Sequence, residues 1–458
     1  MGNTAWEKYD DAQLGMVEIA ARHYKEFLDA GKTERECVRE AIRMAELADY
    51  VNLQDVLDGK VPMQPKVYAV MMDKSIALFH LGNAPLEQGM QIVAAHVDSP
   101  RLDLKQHPLY EETGMAYMDT HYYGGIKKYQ WVTLPLAIHG VVIRKDGTKL
   151  DIVIGEHEDD PVIGVTDLLV HLAGEQLEKT GSKVIEGEAL DLLVGNQPLK
   201  NEEKDAVKAN VLKLLHQKYG IEEDDFISAE LEVVPAGKAR DFGLDRSMIM
   251  AYGHDDRVCA FAGLSAFFGV SHPERTVCCL LVDKEEIGSV GATGMKSRFF
   301  ENTVAELMEL TEGYSELKLR RCLSKSKMLS TDVSSAFDPS YAHAFDKRNV
   351  AYLGGGMVMK KFTGSRGKSG ANDANAEYIG ALRNVMDDAN VTWQTAELGK
   401  VDYGGGGTIS YIAARYGMEV IDCGVPVLNM HAPWEIISKA DLYEAVKGYR
   451  AFLNMKVR

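Results

Sequence analysis

The sequence predicts an α/β fold: a mostly parallel sheet with helices on both faces, plus a β-rich domain inserted into it. Three observations predict this. Short apolar strands alternate with amphipathic helices early in the chain and again from about residue 235, the pattern of a parallel sheet covered on both sides. The stretch between, about 104–234, has its own strand-rich character. With 458 residues the chain is also too long for one ordinary core.

Residues 5–50 read as two helices. Leu14, Val17, Ala20, Ala21 and Tyr24 recur at helical spacing. Thr33 opens the second helix, with Glu36 three residues on as its capping-box partner. From about residue 66 the period changes, and KVYAVMM, SIALFHL and MQIVAAHV read as strands. The middle section holds YYGGIKKYQW, the strands PLAIHGVVIR and LDIVIGE, and the charged helical stretch NEEKDAVKANVLKLLHQKYG. It separates one histidine-bearing strand from the rest of the chemistry, as an inserted domain does. From Pro235 the alternation resumes. VCAFAGLSAFF reads as a helix with Val258, Phe261, Leu264 and Phe268 on one face, and RTVCCLLVD as a buried strand. MLSTD, GMEVIDCG and the closing helix ADLYEAVKGYRAFL follow. The expected domains are therefore 1–103 with 235–458, and the insertion 104–234.

Composition narrows the function. The chain carries 68 acidic and 51 basic residues, a formal net charge of -17. That disfavours nucleic acid and anionic membrane as partners, but does not repel the cationic N-terminus of a peptide. No apolar run reaches the roughly 18 residues of a membrane span, and the opening residues lack the apolar core of a signal peptide. The six cysteines, Cys37, Cys259, Cys278, Cys279, Cys322 and Cys423, are scattered without a CxxC pair. They read as reduced thiols of a cytoplasmic protein.

Five segments share one feature: an apolar strand or loop that ends in His, Asp or Glu. IVAAHVDSP carries His96 and Asp98, MIMAYGHDDR carries His254, Asp255 and Asp256, and CCLLVDKEEIGS carries Asp283, Glu285 and Glu286. KMLSTD ends at Asp332, and VPVLNMHAPWE carries His431. One such residue alone is more often a satisfied surface or core group. Five segments ending at one edge of a sheet, where α/β proteins bind ligands, suit a metal site. Imidazole and carboxylate ligands favour zinc, and also cobalt or manganese. Two histidines with three carboxylates suffice for two ions sharing a bridging group.

Finer roles follow from spacing. In extended backbone, residues two apart point the same way, so Asp98 can orient the imidazole of His96. The alternative is a turn cap at Ser99-Pro100. Neighbours point to opposite sides, so Glu285 and Glu286 are expected to do different jobs, one binding metal and one acting as general base. The alternative there is a solvated acidic turn. Asp256 precedes a helix and can serve simply as a carboxylate facing its dipole. The glycine runs Gly354–Gly356 and Gly404–Gly407 lack the spacing of a P-loop or dinucleotide fingerprint. They read as turns, or as loops that bring backbone close to a ligand such as a peptide.

With these segments in order, the chain resembles the aspartyl aminopeptidase family, within the aminopeptidases that use two co-catalytic metals. AAHVDSPRLDLK is similar to the family's His-Thr-Asp-Ser-Pro segment, GHDDR to its Leu-Asp-Asn/Asp segment, and DKEEIGS to its Glu-Glu-Ile-Gly segment. STDVSSAFDPSY resembles Ser-Ala-Asp-Met-Ala-His-Ala-x-His-Pro-Asn-Tyr, and LNMHAPWE the final Met-His segment. In the insertion, YYGGIKKYQW is similar to Tyr-Gly-Gly-Gly-x-Trp and PVIGVTDLLVHL to Pro-x-Leu-x-Ile-His.

The resemblance implies a cytoplasmic metalloaminopeptidase that removes N-terminal residues from peptide substrates. It implies two divalent metal ions, zinc foremost, held by His96, Asp255, Glu286, Asp332 and His431, with Asp255 bridging. Glu285 would be the general base and Asp98 the group that orients His96. The peptide bond between Asp255 and Asp256 would be cis. Lys360 matches a lysine near the family's substrate pocket. His171 matches a histidine of the inserted dimerisation domain that reaches across a subunit interface. A homo-oligomer is implied, a dodecamer in many relatives. The chain departs from the family where Ser335 and Asp338 replace two histidines, and where HAPWE is closer to the glutamyl and leucyl aminopeptidase branch. Asp338 near the pocket would repel an acidic side chain, which argues against preference for N-terminal Asp or Glu. The competing functions are another two-metal amide hydrolase, such as a deacylase, and a non-catalytic scaffold; the latter is disfavoured because every implied ligand and Glu285 is present.

Overall fold

In the computed structural model the chain is described over residues 4–456. The extreme ends of the expected catalytic domain, 1–3 and 457–458, lie outside the described residues. The fold is mixed α/β, and the chain forms two compact units. One comprises residues up to Ser99, Ala239–Met430 and Glu435 onward; the other comprises Pro100–Lys238 and His431–Trp434.

The first unit is built on a nine-stranded sheet. Its centre is four parallel neighbours in the order Val277–Val282, Gln91–His96, Lys327–Ser330 and Glu419–Gly424. Antiparallel pairings flank them, with Ser75–His80 on one side and Met357–Lys360 on the other, so the whole sheet is mixed. The central strands are continuous apolar runs because both of their faces are buried. Successive side chains alternate between two cores. Val93, Ala95, Cys279 and Leu281 pack with the helix His254–Phe268 and the closing helix Lys439–Leu453. Ile92, Ala94, Cys278 and Leu280 face the opposite core, with Phe299–Glu312 and Glu316–Lys325. Adjacent Cys278 and Cys279 thus serve different faces, and all six cysteines are buried free thiols.

The N-terminal helices run Asp11–Ala30 and Glu34–Leu47. The second begins with the reciprocal cap of Thr33 and Glu36. On the first, Val17, Ala21 and Tyr24 are buried, whereas Leu14 is exposed. In the helix His254–Phe268 nearly every side chain is buried, not one stripe, because it lies between the sheet and other helices. A smaller five-stranded sheet in this unit pairs Met248–Ala251 with Glu435–Ser438, setting Ala251 opposite Glu435.

The second unit holds a seven-stranded antiparallel sheet. Its longest strands are Arg101–Glu112 and Met115–Tyr123, and the helix Ala206–Tyr219 accompanies them. Trp131 is fully buried in it. Among the described residues, no helix is long and apolar enough to cross a membrane.

Candidate metal centre

The C-terminal ends of the parallel strands bring the candidate residues of the first unit together. His96 is the last residue of its strand, Glu285 and Glu286 sit in a short turn after Val277–Val282, and Asp332 follows Lys327–Ser330. Asp255 and Asp256 form a non-helical entry to the helix that carries Val258 to Phe268, and the peptide bond between them is cis. That entry needs Gly253. Its φ is +78°, and a Cβ there would collide with the Arg257 guanidinium.

The imidazole of His96 is the hub. Its Nε2 lies 3.3 Å from Asp255 Oδ1, 3.9 Å from Asp332 Oδ1 and 4.0 Å from Glu285 Oε2. Donor atoms of His96, Asp256 and Asp332 come within 4.8 Å of one another, as do those of His96, Glu285 and Glu286. On its far side, His96 Nδ1 meets the main-chain oxygen of Asp98 at 2.9 Å and the carboxylate at 3.3 Å. Asp98 therefore contacts the ring through its carbonyl as well as its side chain. The two carboxylate oxygens of Asp98 also accept the N–H groups of Glu285 and Glu286, each at 3.1 Å. One buried carboxylate thus orders both the histidine and the Glu-Glu turn.

The charge balance is lopsided. Burial, and then the carboxylates of Asp332, Asp255 and Asp98 against the pull of His96, push the Glu285 carboxyl up to about 8. Burial and Asp255, opposed by Lys360 and His96, raise Asp332 to about 6. Burial and the nearby Asp332 hold Asp256 well above the ordinary carboxyl range. Desolvation disfavours a charged His96, but Asp255 and Asp98 outweigh it and favour the cation. Several carboxylates crowded around one imidazole repel one another and call for positive charge between them. Imidazole nitrogen and carboxylate oxygen are the donors that zinc and its neighbours take. The residues present fit divalent metal.

The remaining candidates have surroundings of their own. His254 turns away from the cluster: its Nδ1 accepts from the Tyr24 hydroxyl at 2.7 Å, and its Nε2–H donates to Ile249 O at 3.1 Å. Lys360 is 4% exposed, and its ammonium donates to the main-chain oxygens of Val333 and Asp332 at 2.8 and 3.3 Å. The Asp338 carboxylate accepts the Ser340 N–H at 2.8 Å and caps a short helix. His431 and His171 belong to the second unit. There His431 Nδ1 pairs with Gly125 O at 2.8 Å, and His171 sits in the exposed turn Val170–Leu172. The glycine run Gly354–Gly356 is occupied internally, since Gly354 and Gly356 N–H groups donate to Asp441.

Local pattern marks Asp256 only as a helix-dipole carboxylate. In the fold it is fully buried and accepts the His96 N–H at 3.3 Å. Ser99 and Glu435, which no pattern singles out, contact the main chain of Asp255. Ser99 lies in the histidine motif and Glu435 in HAPWE, but nothing in either segment names a partner so distant in sequence.

Fold and cluster together define an α/β protein with a candidate metal centre at the strand ends of a largely parallel sheet. Residues 27–453 match the model of the family described as aminopeptidase I zinc metalloprotease (M18). A probable M18 family aminopeptidase 1 of Clostridium acetobutylicum is 60% identical over 98% of this chain and 97% of its own length. A crystal structure of aminopeptidase I from the same organism, 59% identical, superposes with a TM-score of 0.92 over 99% of each chain. The M18 aminopeptidase structure from Thermotoga maritima, 43% identical, gives 0.94 over 99% of each. The chain belongs to the M18 family of zinc aminopeptidases, hydrolases that act on peptide bonds.

Proposed function

We propose that this aminopeptidase works with two divalent metal ions, zinc foremost, held by His96, Asp255, Glu286, Asp332 and His431, with Asp255 shared between them. The observation that carries this is the convergence of five carboxylates, Asp255, Asp256, Glu285, Glu286 and Asp332, on His96 and its neighbours, with carboxyl groups driven upward by burial and mutual repulsion. His431 joins the set from its place in the final Met-His segment. Bound metal would supply polarisation of the scissile carbonyl and a lowered pKa for water.

The chain's own groups do the rest. Asp98 fixes the ring of His96 through Nδ1 and fixes the Glu285–Glu286 turn through its N–H groups. Burial raises the basicity of Glu285, and once metal beside it favours the ionised form, the carboxylate is suited to take a proton from the attacking water and return it to the leaving amine. A bound metal or a nearby carboxylate would receive the free amino group of the peptide, which accounts for removal of terminal residues. Preference for an acidic N-terminal residue finds little support in Lys360, whose ammonium is buried against two carbonyls. Six buried free thiols fit a reducing compartment such as the cytoplasm. A homo-oligomer is supported by exposed Val162, Leu168, Leu169, Val170, Leu172 and Leu177 in the second unit. A yeast relative, 19% identical, is solved as a dodecamer.

The test combines metal analysis with aminoacyl-anilides of Asp, Glu, Leu, Ala and Lys and with N-acetylated amino acids, under added zinc, cobalt or manganese. Glu285→Gln should keep its metal and lose roughly 100- to 10,000-fold in kcat. A variant with most of the wild-type rate removes Glu285 from the role of base. Turnover of the acetylated compounds in place of the anilides would make the protein a deacylase.

A further inference from the structure

The cluster depends on where the main chain of Asp255 is held. Asp255 follows Gly253 and His254 in a segment that does not have helical geometry, so the helix ladder does not fix it. Two side chains from outside grip it instead. Ser99 Oγ donates to Asp255 O at 2.6 Å. Glu435 Oε2 accepts the Asp255 N–H at 3.0 Å. Both residues are 1% exposed. Glu435 reaches this place because its strand pairs with Met248–Ala251, the strand that leads into the turn. Ser99 reaches it because it lies three residues beyond His96.

We propose that Ser99 and Glu435 are positioning residues that clamp the peptide groups on both sides of Asp255 and so aim its carboxylate at the metal ions. This rests on the ligand assignment above. The clamp joins segments that each carry a ligand: Ser99 belongs to the His96 segment, and Glu435 comes four residues after His431 in sequence. If Asp255 serves both ions, its two oxygens would have to be aimed at once, so a small swing of its main chain would weaken both. Groups that orient ligands without touching metal typically alter metal affinity or activity by roughly 10- to 100-fold when removed.

The experiment uses the full-length protein. Zinc affinity is measured on the stripped protein by competition with a chromogenic chelator, and kcat and KM are measured separately after reloading. Ser99→Ala and Glu435→Leu should each weaken zinc by about 10- to 100-fold and lower kcat by a similar factor, with KM changed less than about threefold. Glu435→Gln, whose amide oxygen can still accept the N–H, should stay within about threefold of wild type in zinc affinity. Asp255→Ala serves as the reference and should lose metal outright. Full metal binding by Asp255→Ala would remove the ligand assignment itself. Loss of metal in Asp255→Ala with wild-type affinity and kcat in Ser99→Ala and Glu435→Leu would overturn the clamp alone. A Gln variant as impaired as the Leu variant would overturn the acceptor role of Glu435. If Glu435→Leu fails to melt cooperatively, Ser99→Ala decides by the same criteria.

Discussion

Asp98→Asn probes the most densely connected group behind the centre. In the native protein its two carboxylate oxygens accept the N–H groups of Glu285 and Glu286 at 3.1 Å each, and one also lies 3.3 Å from His96 Nδ1. Asparagine has nearly the same shape but only one acceptor oxygen. Whichever way the amide turns, its NH2 faces a main-chain N–H, so one hydrogen bond to a charged acceptor is lost and two donors oppose each other. A hydrogen bond to a charged group contributes about 1.5–3 kcal/mol. The His96 contact through Asp98 O survives, since it is main chain. The disturbance therefore falls on the Glu-Glu turn. If about 2–3 kcal/mol is expressed in the placement of Glu285 and Glu286, kcat falls roughly 30- to 160-fold. The assay is steady-state hydrolysis of leucyl-anilide, with zinc content measured on the same samples. An Asn variant within threefold of wild type in kcat, with full metal content, would refute the idea that Asp98 orders this turn.

Three further outcomes are expected. Stripping the protein with a chelator should abolish peptide hydrolysis and lower the melting temperature, because the carboxylates around His96 then repel one another, and added zinc should restore both; a stripped protein as stable as the loaded one counts against metal at this cluster. Buried His254 is held neutral, with its pKa lowered to about 3 by burial. Its unfolded pKa is near 6.5, so the unfolded chain binds the extra proton, and the stability it contributes is complete above about pH 6.5 and lost as pH falls towards 3. This group should cost about 2 kcal/mol at pH 5 relative to pH 7.5, seen as a larger fall, or smaller rise, in the urea midpoint of wild type than of His254→Gln over that range, a comparison in which the raised carboxyls that shift stability the other way cancel; equal shifts in the two proteins would mean that His254 is not held neutral by burial. Leu281→Ala, at a fully buried position facing the helix His254–Phe268, should cost about 2–5 kcal/mol, with kcat per folded molecule nearly unchanged; a loss below about 1 kcal/mol would mean that this core is not close-packed.

The sequence alone determined a good deal. Apolar runs as short as VCCLLV, rich in β-branched or small residues and closed by charged ones, suit buried strands, and their alternation with helices places their C-terminal ends on one edge. His96, Glu285, Glu286 and Asp332 follow such runs directly, so their meeting place was legible from local pattern. So was the cap of Thr33 and Glu36, which involves neighbours three residues apart. What the sequence could not determine depends on partners brought together by folding. His254 sits beside Asp255 in sequence, yet its ring pairs with Tyr24, 230 positions away. Lys360 bonds to carbonyls at Asp332 and Val333, and Glu435 reaches the N–H of Asp255 across 180 positions. Backbone hydrogen bonds of this kind leave no periodic trace, because any residue supplies the peptide group and only the tertiary fold decides which side chain arrives beside it.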